Sequence, residues 1–365
     1  MSRYLLFVVT CLFLVPAQAT RGAGRDKREE TEQRTDALAA LITVKTENGR
    51  GSGFICDMGE TNDYIITNAH VIEAAKSIKL TTVEGRQFRP KSIELANNRD
   101  LARMRIPDTD VPSLKLAAHA PKIGAKIFAY GDSMGMDSIT RLPGKVKGVG
   151  PQVLEISAEF VAGNSGGPIL DNKGEVLGVA TFVVKPKKVD WHVKDTEFEK
   201  PRRFGVRVND RVQWVPVRYR QFYREASALQ DVKFYLEDMG RISMILRQED
   251  PRDTRSGFQK ILLSKESLKS KRYADPAYAT HLLTISNSYI QFYNSARKYS
   301  FSSYSVKGPL DRFYEALKRT PTLPRQKLQR RRWSTNHYKK QADEYIEMFE
   351  TWEKDIEPLK SQRAF

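Results

Sequence analysis

The chain has 365 residues, a hydrophobic share of 40% and a formal net charge of +17. That length favours two domains, and the apolar share is adequate for packed cores. Lys and Arg are spread along the whole chain, which suits a generally basic exported protein and argues against a dedicated nucleic-acid groove.

The first residues form a targeting segment. Arg3 supplies a positive start, and Tyr4 to Val15 is a mostly apolar run. It is shorter than the roughly 20 residues a membrane-spanning helix needs. Ala17-Gln18-Ala19 completes a small-x-small cleavage pattern, so residues 1–19 are predicted to be a signal peptide and Thr20 the mature start. An uncleaved anchor is the second choice, and no later stretch is apolar enough to span a bilayer. The chain is thus expected to be exported, to the periplasm or beyond. Cys11 leaves with the signal, so Cys56 has no disulfide partner in the mature chain and is read as a small core residue.

Residues 20–36 are polar and charged and read as a flexible arm. Short strands then alternate with turn signals: 39–45, 53–56, 64–68, 78–83, 88–95 and 101–106, followed by 125–130, 141–149, 153–157, 168–170, 176–183 and 204–208. Two sets of about six strands predict an all-β double β-barrel. A charged insertion holding Trp191 and His192 occupies 184–203. From about Trp214 glycine becomes rare and apolar residues recur at three- and four-residue steps. Helices are expected over 219–246, 275–298 (with an Asp275-Pro276 start), 309–319 and 337–357, forming a helical C-terminal domain over 219–365. Arg325, Lys327, Arg330, Arg331 and Arg332, beside Trp333, read as a solvated loop between helices, with a contact for anionic partners as the other reading. Glu344, Glu347, Glu350 and Glu353 mark a wet helix face, with Tyr345, Met348, Phe349 and Trp352 turned to the core.

The stretch that organises the chain is Gly163-Asn164-Ser165-Gly166-Gly167-Pro168. A serine on a glycine-rich turn can present its hydroxyl to a carbonyl carbon while the neighbouring amides stay open to the oxyanion that forms. Such a turn is weak evidence alone. It gains weight from His70, on the turn after the strand Ile65–Thr67, where a general base could sit at the rim of a core. It gains more from Asp100, just before an apolar strand, where a carboxylate could accept from the imidazole Nδ1–H and leave Nε2 to take the serine proton. Asp63, Asp108 and Asp110 are the rival carboxylates. Asp63 sits at the far end of the strand leading to His70, and the other two lie in a polar turn with no following strand. The order His70, Asp100, Ser165 is that of chymotrypsin-type hydrolases and would place the site in the cleft between the barrels. Gly131-Asp132-Ser133-Met134-Gly135 fits the nucleophile elbow of α/β-hydrolases, but no helix follows it, so Ser133 is read as a turn residue.

At Thr67-Asn68-Ala69-His70-Val71-Ile72, Asp100-Leu101-Ala102 and Gly163–Leu170 the chain resembles the trypsin-like serine peptidases, in particular the HtrA/Deg branch. Gly51-Ser52-Gly53-Phe54, Ala129–Gly135 and Phe204–Asn209 agree with the same family, so the resemblance covers about 37–215. It implies a serine endopeptidase needing no cofactor, acting on protein or peptide substrates, with His70 as base, Asp100 as orienter and Ser165 as nucleophile. The oxyanion hole would comprise the amides of Gly163 and Ser165, with Asn164 part of that turn. Asparagine there, in place of aspartate, implies no activation by a newly cut N-terminus. The specificity pocket is expected at Glu159, Phe160, Val161 and the strand through Thr181. An inward Glu159 would favour basic side chains and Phe160 small or medium apolar ones; the second fits the apolar pockets usual in the family.

Several features depart from that family. Arg103 stands where an apolar residue is usual, so its strand is expected to face solvent or the helical domain. Arg207 replaces a proline, and the 184–203 insertion could be a gate, an exosite or a solvated loop. No peptide-carboxylate loop follows the protease half, so no PDZ domain is expected. No metal-ligand spacing and no phosphate loop is found. The helical domain would recruit substrate, tether the enzyme or assemble a homo-oligomer. The rival reading is a latent or inactive protease-fold scaffold acting through that domain.

Overall fold

The computed structural model describes residues 37–59, 64–73, 75–107, 110–185, 196–209, 211–246, 257, 273–299 and 304–362, with side chains described as far as residue 354. The leader, the charged arm, Asp63, Asp108, Trp191 and His192 lie outside the described residues.

The first set of strands comprises β1 (Leu41–Thr46), β2 (Arg50–Asp57), β3 (Tyr64–Thr67), β4 (Ile78–Thr82), β5 (Gln87–Phe88), β6 (Ser92–Ala96), β7 (Ala102–Arg105) and β8 (Leu114–Lys115). The one-turn helix α1 (Ala69–Ile72) follows β3. Alternate residues of β1 to β3 enter different apolar clusters. Leu41, Phe54, Cys56 and Ile66 face the second barrel, whereas Ile42, Val44, Ile55 and Ile65 join the core that continues into the helical region. Burial on both faces explains why these strands read as continuous apolar runs instead of alternating ones. Cys56 is fully buried, as expected of a core residue.

The second set is β9 (Lys126–Asp132), β10 (Ile139–Val149), β11 (Val153–Ile156), β12 (Pro168–Leu170), β13 (Val176–Val184) and β14 (Arg202–Arg207), which close in the order β10-β11-β14-β13-β12-β9. The chain then crosses back. β15 (Trp214–Val217) pairs antiparallel with β6 and ends the first sheet, whose order is β15-β6-β7-β3-β2-β1-β4-β5. The double-barrel expectation therefore holds, with the second barrel closed and the first a half-barrel open between β5 and β15.

β15 also corrects the expectation for Arg103. Its guanidinium lies between the rings of Tyr64 and Trp214, at 4.3 and 4.9 Å, and donates to Glu94 at 2.9 Å. The Arg103 face of β7 is covered by side chains of the neighbouring strands of its own sheet, Tyr64, Glu94 and Trp214, and not by solvent. Pairing with Glu94 and cation–π contact make a buried arginine tolerable. Arg207 donates to the Gly150 carbonyl at 3.0 Å.

The C-terminal region is helical: α2 (Tyr219–Leu246), α3 (Pro276–Ala296), α4 (Tyr304–Lys318), α5 (Thr322–Gln329) and α6 (Asn336–Gln362). Asp275 caps α3 by accepting from the Ala277 amide at 3.0 Å. The basic run is not a loop over its first half: Arg325 and Lys327 lie on α5, paired with Glu353 and Asp275. On α6 the four glutamates are exposed and Phe349 is buried, but Met348 is 53% exposed. One helical step of about 100° carries it off the face that Phe349 presents to the core.

Phe222 of α2 is fully buried, and its ring meets Tyr219 and Tyr338. It ties α2 to α6 inside the core shared with the first sheet. Phe222→Ala is expected to cost about 3–5 kcal/mol of unfolding free energy. Urea unfolding followed by tryptophan fluorescence would measure it, and a loss below about 1 kcal/mol would mean the helices pack without this anchor.

Candidate functional site

β3 ends at Thr67, and the chain turns through Asn68 into α1. This places His70 at the barrel rim with 38% of its side chain exposed. Asp100 stands at the turn before β7. Its Oδ2 lies 2.5 Å from His70 Nδ1, and its Oδ1 accepts the His70 backbone N–H at 3.0 Å. Both carboxylate oxygens thus hold one residue, fixing the ring plane and directing Nε2 away from Asp100. Partial withdrawal of the ring from water opposes its charge, but the Asp100 carboxylate outweighs this and pushes the His70 pKa up to about 9. Burial opposes the charge on Asp100 too, and His70 overcomes it, holding that carboxyl below the ordinary aspartate range. Of the rival carboxylates, Asp110 pairs with Arg86 at the surface.

Ser165 sits on the turn between Phe160 and β12. Its carbonyl accepts from the Ser52 amide at 2.8 Å, and Gly166 donates to Ala180 at 2.9 Å, so the turn is pinned between the two barrels. The Ser165 hydroxyl donates to the Thr181 carbonyl at 3.3 Å; among the described residues it makes no hydrogen bond to His70. The two sides are nonetheless linked. Asn68 Nδ2 donates to the Asp100 carbonyl at 2.7 Å and to Thr181 Oγ1 at 3.1 Å. One fully buried side chain therefore bridges the aspartate turn to the strand that meets Ser165.

Gly163 takes a φ of +91°, and a Cβ there would lie 2.1 Å from the Asp132 carbonyl oxygen, so only glycine fits. Among the described residues the amides of Gly163 and Ser165 donate no hydrogen bond, leaving both available to an anionic oxygen. Asn164, expected as part of the oxyanion turn, offers it no free amide. Its N–H is taken by the Val161 carbonyl at 3.1 Å. Its buried Oδ1 accepts from the Val161 amide at 2.9 Å and from Ser133 Oγ at 3.0 Å. Asn164 is a brace, and Ser133 is the turn residue that helps hold it.

The pocket residues separate. Phe160 is 2% exposed and packs in the core of the second barrel, because the β11–β12 connection turns it inward. Glu159 points to solvent. Thr181 alone borders the cavity that holds His70 and Asp100, with its hydroxyl donating to the Val179 carbonyl at 2.7 Å. That cavity, about 840 Å³, has a second wall that no motif announced: Lys233 of α2 and Asn336, His337, Lys340 and Gln341 of α6. The backbone amides of Asn336 and His337 donate to Asn97, at 2.9 and 2.7 Å, anchoring α6 to the turn that carries Asp100.

Away from the cleft, His119, Asp171 and Glu175 come together. The ring places Nε2 3.3 Å from Asp171 and Nδ1 3.6 Å from Glu175. Each carboxylate faces a different ring nitrogen, the geometry of an imidazole bridging two acids, whereas ligands of one ion converge on a common point.

Residues 51–179 match the family model described as trypsin-like peptidase domain. The serine protease Do-like HtrA of Bacillus subtilis is 31% identical over 161 residues, 40% of this chain and 36% of that protein. A probable periplasmic serine endoprotease, DegP-like, of Chlamydia muridarum is 32% identical over 145 residues, 37% of this chain and 28% of that protein. The chain thus spans about a third of the length of these curated relatives. Among solved structures, the serine endoprotease from Yersinia pestis aligns with 24% identity and a TM-score of 0.39, over 49% of this chain and 62% of that one.

Proposed function

We propose that this chain, which carries a domain of the trypsin-like peptidase family over residues 51–179, is an exported serine endopeptidase acting on proteins through Ser165, His70 and Asp100. The observation that carries the reading is the doubly held His70. Asp100 fixes its Nδ1 side at 2.5 Å, and the serine turn of the second barrel carries two amides, of Gly163 and Ser165, that donate no hydrogen bond among the described residues. The export half rests on the leader pattern in residues 1–19, and the periplasmic relative agrees with it.

In this reading His70 must first lose its proton. Nε2 then takes the Ser165 hydroxyl proton as Oγ bonds to the scissile carbonyl carbon. The carbonyl oxygen becomes an oxyanion held by the amides of Gly163 and Ser165. The C–N bond breaks as His70 returns the proton to the leaving amine, giving an acyl-enzyme. Water, deprotonated by His70, then releases the acid and restores Ser165.

The test is labelling of the mature protein with a fluorophosphonate across pH 6–10, beside Ser165→Ala. Labelling that grows as His70 deprotonates and vanishes in the variant is expected. No labelling at any pH would favour the second reading, a latent or scaffolding protease fold, which the Ser165–Thr181 hydrogen bond specifically supports.

A further inference from the structure

The cavity beside His70 contains a carboxylate that the mechanism above does not use. Glu73 follows α1 directly, three residues after His70, and borders the same cavity. Residues three apart on a helical turn share a face, so the two side chains are neighbours. Across from them stands Tyr338 of α6, 1% exposed, whose buried hydroxyl is directed at the Glu73 carboxyl and has no other hydrogen-bond partner among the described residues. A buried phenol costs stability unless it has an acceptor, and the Glu73 carboxyl is the acceptor beside it.

We propose that Glu73, held by Tyr338 of the helical region, is a positioning residue that supplies His70 with a second negative neighbour and thereby sets the pH at which the base becomes available. The inference rests on the protease reading for its consequence in catalysis, but not for the coupling itself.

The groups around Glu73 come from three elements. His70 and Asp100 belong to the first barrel, Lys233 to α2, and Tyr338 and Tyr345 to α6. Burial and then Asp100 push the Glu73 carboxyl up to about 7, while His70, Lys233 and the Tyr338 hydroxyl favour its charged form. Glu73 in turn favours the imidazolium of His70, and Lys233 opposes it. His337 borders the same cavity, where burial lowers its pKa against the opposing pull of Asp100 and Glu344. Glu73 and His70 therefore titrate as a coupled pair. The helical region enters this pair through the Tyr338 hydroxyl and the Lys233 ammonium, which gives C-terminal elements a direct hold on the ionisation of the base.

The experiment is a proton NMR titration of the His70 Cε1–H in the Ser165→Ala chain, repeated with Glu73→Gln and with Tyr338→Phe. His70→Gln assigns the resonance. Glu73→Gln is expected to lower the His70 midpoint by about one pH unit, as loss of a nearby opposite charge does. Tyr338→Phe keeps the ring packed on Phe222 and removes only the hydroxyl that favours ionised Glu73, so a smaller fall is expected. In chains with Ser165 intact, the acid limb of the kcat/KM profile on casein should move down with the midpoint, raising kcat/KM at pH 7 several-fold. A merely structural role would change melting temperature and leave the midpoint in place. A midpoint unmoved in Glu73→Gln overturns the proposal, as does an unmoved midpoint in Tyr338→Phe should the first variant not fold. Midpoints that move in chains with no hydrolysis at any pH uphold the coupling and overturn the protease reading.

Discussion

Asp100→Asn is expected to lower kcat near neutral pH by about 10⁴-fold while leaving the protein folded. The amide can still accept the His70 backbone N–H, which Asp100 Oδ1 now accepts at 3.0 Å. It cannot act as a charged acceptor for Nδ1–H, and its own NH₂ group favours the tautomer with the proton on Nε2, where the serine proton has to go. The imidazolium formed during acyl transfer also loses its counter-charge. The same substitution changes the pH dependence of stability in a definite direction. His70 has a folded pKa of about 9, above its unfolded value of 6.5. Its contribution is fully present below pH 6.5 and fades as pH rises through 9. With a side chain 38% exposed, screening reduces that contribution to about 1 kcal/mol. Asp100, whose folded pKa is depressed, contributes stability above the ordinary aspartate range and loses it as pH falls through the lowered value. Urea midpoints of the wild type should thus fall between pH 6 and 9.5 by more than those of Asp100→Asn. Retention of kcat within tenfold, or parallel stability profiles, would sink the assignment of Asp100 as the partner of His70.

How much of this is legible in the sequence depends on how local each signal is. The helix Tyr219–Leu246 shows in its apolar spacing because one face of a long helix repeats the same demand many times. The start of α3 shows in Asp275-Pro276 because a cap is a contact between near neighbours. The glycine turn is legible for the same reason, its composition being dictated by backbone within a few residues. β15 is not: four residues including Pro216 carry no periodicity, and proline is tolerated there because β15 is an edge strand. The predicted strand over 88–95 is in fact β5 and β6, interrupted near Pro90, which cannot donate to a ladder. Phe160 illustrates the harder limit. Whether an aromatic beside a serine turn lines a pocket or fills a core is decided by where the barrel closes, and nothing within ten residues states it. The bracing roles of Asn68 and Ser52 escape a reading of the sequence likewise, although a polar residue inside the buried run Tyr64–Ala69 is a signal, since a fully buried amide must find partners. The helical wall of the cleft, with Lys233 and His337, needs contacts across more than a hundred residues and has no local signature.

The turn itself supplies the second large effect. Gly166→Ala is expected to cost about 2–4 kcal/mol and to abolish fluorophosphonate labelling. Gly166 has a φ of +90°, which an alanine adopts at a cost of about 1 kcal/mol. A Cβ there would also lie 1.9 Å from the Ser52 carbonyl oxygen and 2.3 Å from Thr67 Oγ1. Both neighbours are fixed, since Thr67 Oγ1 donates to that same carbonyl at 2.7 Å and Ser52 donates its amide to the Ser165 carbonyl. The turn must therefore move away from the first barrel, carrying Ser165 with it, and overpacking of this kind adds about 1–3 kcal/mol. Gly85 provides the control. It has nearly the same φ, +89°, and a Cβ added there would meet nothing within 4 Å. Gly85→Ala should thus show the conformational cost alone, about 1 kcal/mol, with labelling intact. Equal destabilisation by the two substitutions would mean that the backbone angle, and not contact between the barrels, governs the serine turn. A destabilised Gly166→Ala that still labels at the wild-type rate would mean that the position of Ser165 is set elsewhere, by Asn164 and its brace from Ser133.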